Sequence, residues 1–261
     1  MIAKHIHLIE EASKEGAQII CLQELFFTQY FGVEQNPRWF EIAEEIPGPT
    51  TELLREVARK REVVIAAPIF ERAGVRWYYN TAVVIDADGE ILGIYRKHHI
   101  PHREGFWEKY YFAPGNVGFP VFKTRYCTIG IFIDYDRHYP EVPRALALKG
   151  AEILFNPCTT TMSLSMYLWF LEQRSYAVTN GVFVGSINRV GVEELTDEVF
   201  FGNSYFCDPF GEILAQGSGD KDDIVIADLD LEKIRLARQM WPFFRDRRPS
   251  SYLELTDPSL V

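Results

Sequence analysis

The chain writes one turn twice. Asp86-Ala87-Asp88-Gly89 leads from Val84-Ile85 into Glu90-Ile91-Leu92, and Asp208-Pro209-Phe210-Gly211 leads from Tyr205-Phe206-Cys207 into Glu212-Ile213-Leu214. Both obey D-x-x-G-E-I-L, with glycine at the same point of the turn, and a glycine-containing turn between two apolar runs is a hairpin signal. The repetition constrains the chain to two similar halves, each organised around a hairpin. Ahead of the first hairpin, the apolar spacing predicts a helix over Ile2 to Lys14, a strand Gln18 to Leu22, a helix near Thr51 to Arg61 and a strand Val63 to Ala67. Ahead of the second it predicts a strand Thr128 to Ile133, a helix Pro140 to Lys149, a strand Ile153 to Asn156, a helix Met166 to Asn180 stopped by Gly181, and a strand Val182 to Asn188. The class is α/β. The halves differ at their openings, because the second begins with a strand and the first with a helix.

Composition sets limits on function. With 261 residues and 47% hydrophobic content the chain can bury a large core, and a formal charge of -10 offers no electrostatic footprint for nucleic acid. No stretch is apolar and long enough to span a bilayer, and Met1-Ile2-Ala3-Lys4-His5 enters an amphipathic pattern directly, so the expected setting is cytoplasmic and the expected partner a small soluble molecule. Cys21, Cys127, Cys158 and Cys207 stand singly in apolar surroundings, which suits reduced, mostly buried thiols.

The chemistry concentrates where apolar strands stop. The run Thr128 to Ile133 ends abruptly at Asp134-Tyr135-Asp136-Arg137-His138, and Pro140-Glu141 then suits the first turn of a helix. Open α/β sheets place reacting groups at such carboxyl ends, which makes Asp134, Asp136, Arg137 and His138 candidates. Glu24 ends the strand pattern of Gln18 to Leu22, and Lys97 leaves the first hairpin as a cation able to face a developing oxyanion. Each also has an ordinary reading, as a solvated loop, a helix cap or a solvated lysine. His98, His99 and His102 fall close together but lack a fourth ligand at zinc-like spacing, so the expectation is a pocket entrance and no metal.

Together these segments are more specific. ICLQELFF around Glu24, YRKHHIP around Lys97, FWEKYYFAPGN at Phe106 to Asn116, IDYDRHYPE around Asp134, GAEILFNP at Gly150 to Pro157, NGVFVGSINRVG at Asn180 to Gly191 and WPFFRDRRP at Trp241 to Pro249 resemble the nitrilase-like carbon-nitrogen hydrolases. Within that family the chain is most similar to N-carbamoyl amidohydrolases of the β-ureidopropionase and N-carbamoylputrescine amidase type. The resemblance implies a four-layer αββα sandwich over residues 1–261 and a tail from about residue 241 that crosses to a partner subunit in a homodimer or larger homo-oligomer. It implies no cofactor. It also implies a strand ahead of Ile2 that this sequence lacks, so a sheet edge or cavity is expected near Thr128 to Ile133 or its pseudo-symmetric mate.

By the same resemblance, Glu24 is the general base, Lys97 stabilises the tetrahedral intermediate, and Glu108 orients Lys97 and the substrate amino group. Tyr135, Arg137 and His138 are substrate contacts, with Arg137 either a clamp for a substrate carboxylate or an ion-pair partner of Asp136 or Glu141. The family places a nucleophilic cysteine where this chain has Asp134. Two readings follow: an impaired or inactive hydrolase of an N-carbamoyl compound, or a noncatalytic ligand-binding or assembly subunit of the same fold. Cys127 belongs at the far end of the strand, and Cys158 is the least implausible substitute nucleophile.

Overall fold

A computed structural model describes residues 1–161 and 164–260. The first half contains α1 (Ile2–Lys14), β1 (Ile19–Cys21), α2 (Pro49–Arg61), β2 (Val64–Ala73), β3 (Trp77–Ile85) and β4 (Ile91–Arg96). The second contains β5 (Val121–Lys123), β6 (Thr128–Ile131), α3 (Glu141–Leu148), β7 (Ile153–Cys158), α4 (Leu164–Asn180) and β8 (Phe183–Asn188). It continues through β9 (Val190–Glu193), β10 (Thr196–Phe201), β11 (Tyr205–Cys207), β12 (Ile213–Gln216) and α5 (Glu232–Met240).

Alternation along the strands builds the layers. Val64 and Ala66 of β2 and Ala82 and Val84 of β3 pack against Ile129 and Ile131 of β6 and Phe155 of β7, forming the core between two sheets. Their neighbours Ile65, Ala67 and Val83 point the other way, onto Ile9 of α1 and Leu54 and Ala58 of α2. Leu154 and Val184 likewise face Val142 and Leu146 of α3 and Trp169 and Ala177 of α4. The order is therefore helices, sheet, sheet, helices, the αββα arrangement.

The first sheet runs β1-β2-β3-β4 and the second β12-β11-β8-β7-β6-β5. In the first, β1 and β2 are parallel and the rest antiparallel; in the second, β6, β7 and β8 are parallel and β11 and β12 add antiparallel. The series β1-β2-β3-β4 thus repeats as β7-β8-β11-β12. Both hairpins close alike: Gly89 N–H donates to Asp86 C=O and Gly211 N–H to Asp208 C=O, each at 2.8 Å, with the glycines at φ +84° and +81°. Both also carry a register irregularity just before the turn.

Among the described residues β6 has no counterpart beyond β1, which is an edge strand. Beside β1 lies a groove of about 310 Å³, lined by Ile19, Cys21, Cys127 and the segment Asp223 to Leu229. Several boundaries differ from expectation. β2 extends to Ala73 because its far end still pairs with β3, and β6 stops at Ile131 because the chain turns inward before Asp134.

Candidate active site

Three chain segments bring carboxylates to one buried ammonium. Lys97 follows β4, its backbone N–H held by Asn80 C=O at 2.9 Å, and its side chain is fully buried. Its Nζ donates to Glu24 Oε1 at 2.9 Å, Glu108 Oε2 at 2.7 Å and Asp134 Oδ2 at 3.0 Å. Three acceptors match the three protons of an ammonium.

Each partner is fixed from behind. Glu24 follows β1, and its Oε1 also accepts from Asn80 Nδ2 at 2.6 Å, while its buried Oε2 has no partner. The turn after it is pinned by Arg189, whose Nη2 donates to Glu24 C=O and Leu25 C=O at 3.0 Å and whose guanidinium pairs with Glu193. Glu108 opens a short 3-10 turn, and its Oε1 accepts from Tyr30 Oη at 2.9 Å. Asp134 stands at the start of another such turn with φ +43°, a left-handed conformation that costs a non-glycine residue of order 1 kcal/mol and persists only where its surroundings enforce it. Its Oδ1 accepts from Arg137 Nη1 at 2.9 Å.

With three carboxylates around one ammonium, charge decides the proton inventory. Burial pushes Glu24 upward and Asp134 repels its ionised form, so despite Lys97 its pKa rises to about 8. Burial also raises Glu108, against the pull of Lys97. Asp134 is raised by burial too, but Lys97 and Arg137 outweigh that and hold it below the ordinary carboxylate range. Desolvation would lower Lys97, and the three carboxylates reverse this and hold it well above its usual value. Near neutrality the site therefore carries ionised Asp134, charged Lys97 and a proton on Glu24.

The other expected residues are distributed differently. Arg137 is buried and donates to Asp134 and, through Nη2, to Thr160 Oγ1 at 3.1 Å, with Glu172 3.7 Å from its Nε. Its ion-pair partners are thus Asp134 and Glu172 instead of Asp136 or Glu141, because the turn after β6 points Asp136 inward and Glu172 of α4 approaches from the helix layer. His138 is occupied by Glu172 at 2.7 Å, and Tyr135 packs edge-on against His138 and Tyr139. Cys158 lies 3.9 Å from Arg137 and donates to Asn156 Oδ1, and burial raises its thiol pKa well above the usual value. That makes it a poor nucleophile at neutral pH.

The three histidines do not converge. His98 contacts Arg96 C=O and Phe119, His99 contacts Asp136, and His102 packs on Trp107. Glu24, Glu108 and Asp134 are close enough together to hold a cation, and the Lys97 ammonium lies within bonding distance of all three. Sequence reasoning missed Tyr30, Asn80, Thr160, Glu172 and Arg189 as supports of the site. Only Asn80 carried a signal, as an amide that with Thr81 interrupts the mostly apolar run Tyr79 to Ile85.

Comparison with known proteins shows the family of the chain. The sequence profile described as carbon-nitrogen hydrolase matches residues 1–239. The N-carbamoylputrescine amidase of Oryza sativa subsp. japonica is 42% identical over 258 residues, covering 94% of this chain and 85% of that protein. The β-ureidopropionase of Arabidopsis thaliana is 38% identical, covering 95% of this chain and 65% of that protein. A crystal structure of a carbon-nitrogen hydrolase from Helicobacter pylori G27 superposes with a TM-score of 0.93 at 36% identity, covering 98% of this chain and 93% of the other.

Proposed function

The chain belongs to the carbon-nitrogen hydrolase family, and from that premise we propose that its site is built to hydrolyse the terminal ureido group of an N-carbamoyl amine or amino acid, with Asp134 at the nucleophile position leaving this copy impaired or inactive. The observation that carries the reading is the convergence of Glu24, Glu108 and residue 134 on Lys97 Nζ. The overall reaction takes R–NH–CO–NH2 and water to R–NH2, carbon dioxide and ammonia. In it, Lys97 is placed to stabilise oxygen as negative charge develops on the ureido carbonyl, and Glu24, which holds a proton beside the ionised Asp134, to give that proton to departing ammonia. Glu108, held by Tyr30, keeps the ammonium aimed.

Asp134 weakens the step that forms the covalent bond. Attack through its carboxylate would build a mixed anhydride, and a carboxylate is a weaker nucleophile toward a ureido carbon than a thiolate. Its oxygens are also engaged, Oδ2 by Lys97 and Oδ1 by Arg137, so attack would first break a charge-assisted hydrogen bond. Arg137 is for the same reason not free to clamp a substrate carboxylate while Asp134 is present, which leaves carbamoyl amines and carbamoyl amino acids both as candidate substrates.

The test is ammonia release from N-carbamoylputrescine and N-carbamoyl-β-alanine by the chain and by Asp134→Cys under identical conditions. Release by the variant alone is expected. Equal release by both would refute the assignment of Asp134 as the disabling residue, and release by neither would refute the ureido substrate class. We further propose a cytoplasmic setting, where the four free cysteines remain reduced, and a second copy of the chain as partner of the tail. Trp241, Phe243, Leu253 and Leu255 are exposed there, and light scattering at a monomer mass would overturn that assignment.

A further inference from the structure

Asp136 stands two residues beyond Asp134, is completely buried, and touches nothing that reacts. Its carboxylate nevertheless collects four donors. Oδ2 accepts from Tyr95 Oη at 2.7 Å and from Ile133 N–H at 3.0 Å, and Oδ1 accepts from His99 N–H at 3.0 Å and His99 Nδ1 at 2.7 Å. A carboxylate oxygen is the acceptor in each, so His99 Nδ1 is assigned as the donor of its bond. The ring is also held, stacked on Tyr139 at 3.5 Å between centroids and 8° between planes.

The donors come from two places. Ile133 immediately precedes Asp134, whereas Tyr95 and His99 flank Lys97 by two residues on either side. A local cap of the turn needs only the bond to Ile133; the other three reach into the other half of the molecule. We propose that Asp136 is the positioning residue of the site, tying the Lys97 segment to the turn that carries residue 134 and so setting the distance between the Lys97 ammonium and whatever side chain stands at 134. This deepens the functional reading and rests on it.

Buried carboxylates that orient a reactive group through its neighbours change activity by about 10- to 100-fold when removed from metal sites, and a similar loss is expected here. The readout need not depend on the substrate. In the Asp134→Cys protein, the rate at which iodoacetamide alkylates the introduced thiol, followed against pH, reports how strongly Lys97 stabilises the thiolate against Glu24 and Glu108. Adding Asp136→Asn keeps the shape but turns an acceptor into a donor facing Tyr95 and Ile133. The alkylation profile is expected to move up by about one pH unit, with kcat for ammonia release falling about tenfold or more while KM stays within about twofold.

Tyr95→Phe in the same background removes one donor and leaves the carboxylate, and a smaller shift in the same direction is expected; it decides the matter if Asp136→Asn does not fold. An unshifted alkylation profile in the folded variants would overturn the proposal. If the profile shifts and no variant releases ammonia, the positioning role stands and the ureido reading fails.

Discussion

Replacing Glu24 with glutamine tests the proton inventory on which the site depends. Glutamine can keep both hydrogen bonds to Oε1, from Asn80 at 2.6 Å and Lys97 at 2.9 Å, and its amide nitrogen takes the place of Oε2, which has no partner. The variant should therefore fold, and near pH 5 it should match the parent's stability to within about 1 kcal/mol. The two must diverge as pH rises. Glu24 has a folded pKa raised from 4.5 to about 8, so its contribution is fully present below 4.5 and is lost as pH climbs through about 8. Across that window the unfolded chain releases a proton that the folded chain retains, at about 1.4 kcal/mol per pH unit, or roughly 3–4 kcal/mol between about pH 5 and pH 8. Glutamine has nothing to titrate, so the parent should lose that much relative to Glu24→Gln. Urea unfolding of both proteins at fixed concentration and several pH values measures the difference, and the terms common to both cancel. Parallel stability curves from about pH 5 to pH 8 would refute the claim that Glu24 holds the proton.

Two further substitutions probe charge and packing. Lys97→Met leaves Glu24, Glu108 and Asp134 around an apolar side chain, with an expected loss of about 3–5 kcal/mol in urea unfolding that is smaller near pH 5, where the carboxylates protonate more readily. A loss independent of pH would mean that the pocket is not charge-balanced by Lys97. Gly185→Ala on β8 puts a methyl group 2.8 Å from Phe206 and 2.9 Å from Phe155, so a destabilisation of about 1–3 kcal/mol is expected, and an unchanged thermal midpoint would show that the sheet can give way there.

What the sequence made legible depended on local chemistry. The two hairpins were readable because Asp and Gly set a turn within a few residues, and β7 because Ile153-Leu154-Phe155 is an uninterrupted apolar run ending at Asn156. Asp134, Glu24 and Lys97 were visible because each is a charge at the end of an apolar strand. The ribbon β9–β10 was not, since Gly191, Glu193, Glu194, Asp197 and Glu198 interrupt any alternation and much of it is exposed. The partners of Arg137 were misassigned because the nearest acidic neighbours in sequence are Asp136 and Glu141, whereas Glu172 reaches it only through the packing of α4. Tyr95 and Asp136 show the same limit: neither side chain alone announces a bond between the two halves.

That the site assembles around Asp134 follows from where the charges must be. A thiol at 134 could become an anion only by passing its proton to a nearby base, with Lys97 beside it and Glu24 able to receive the proton. Asp134 arrives already ionised, and Glu24 is protonated because a second anion beside Asp134 is too costly in a buried pocket. The aspartate state thus has the same inventory as an activated thiolate state: an anion at 134, an ammonium at 97 and a neutral acid at 24. On this argument the surrounding fold experiences little electrostatic difference between them, so the exchange can leave assembly intact while removing nucleophilicity. The difference lies in Arg137, which gives a hydrogen bond to a carboxylate oxygen that a single sulfur atom could not accept while also receiving Lys97 in the same geometry. Substitution at 134 should therefore release Arg137 toward the ligand side of the pocket and alter substrate preference as well as rate.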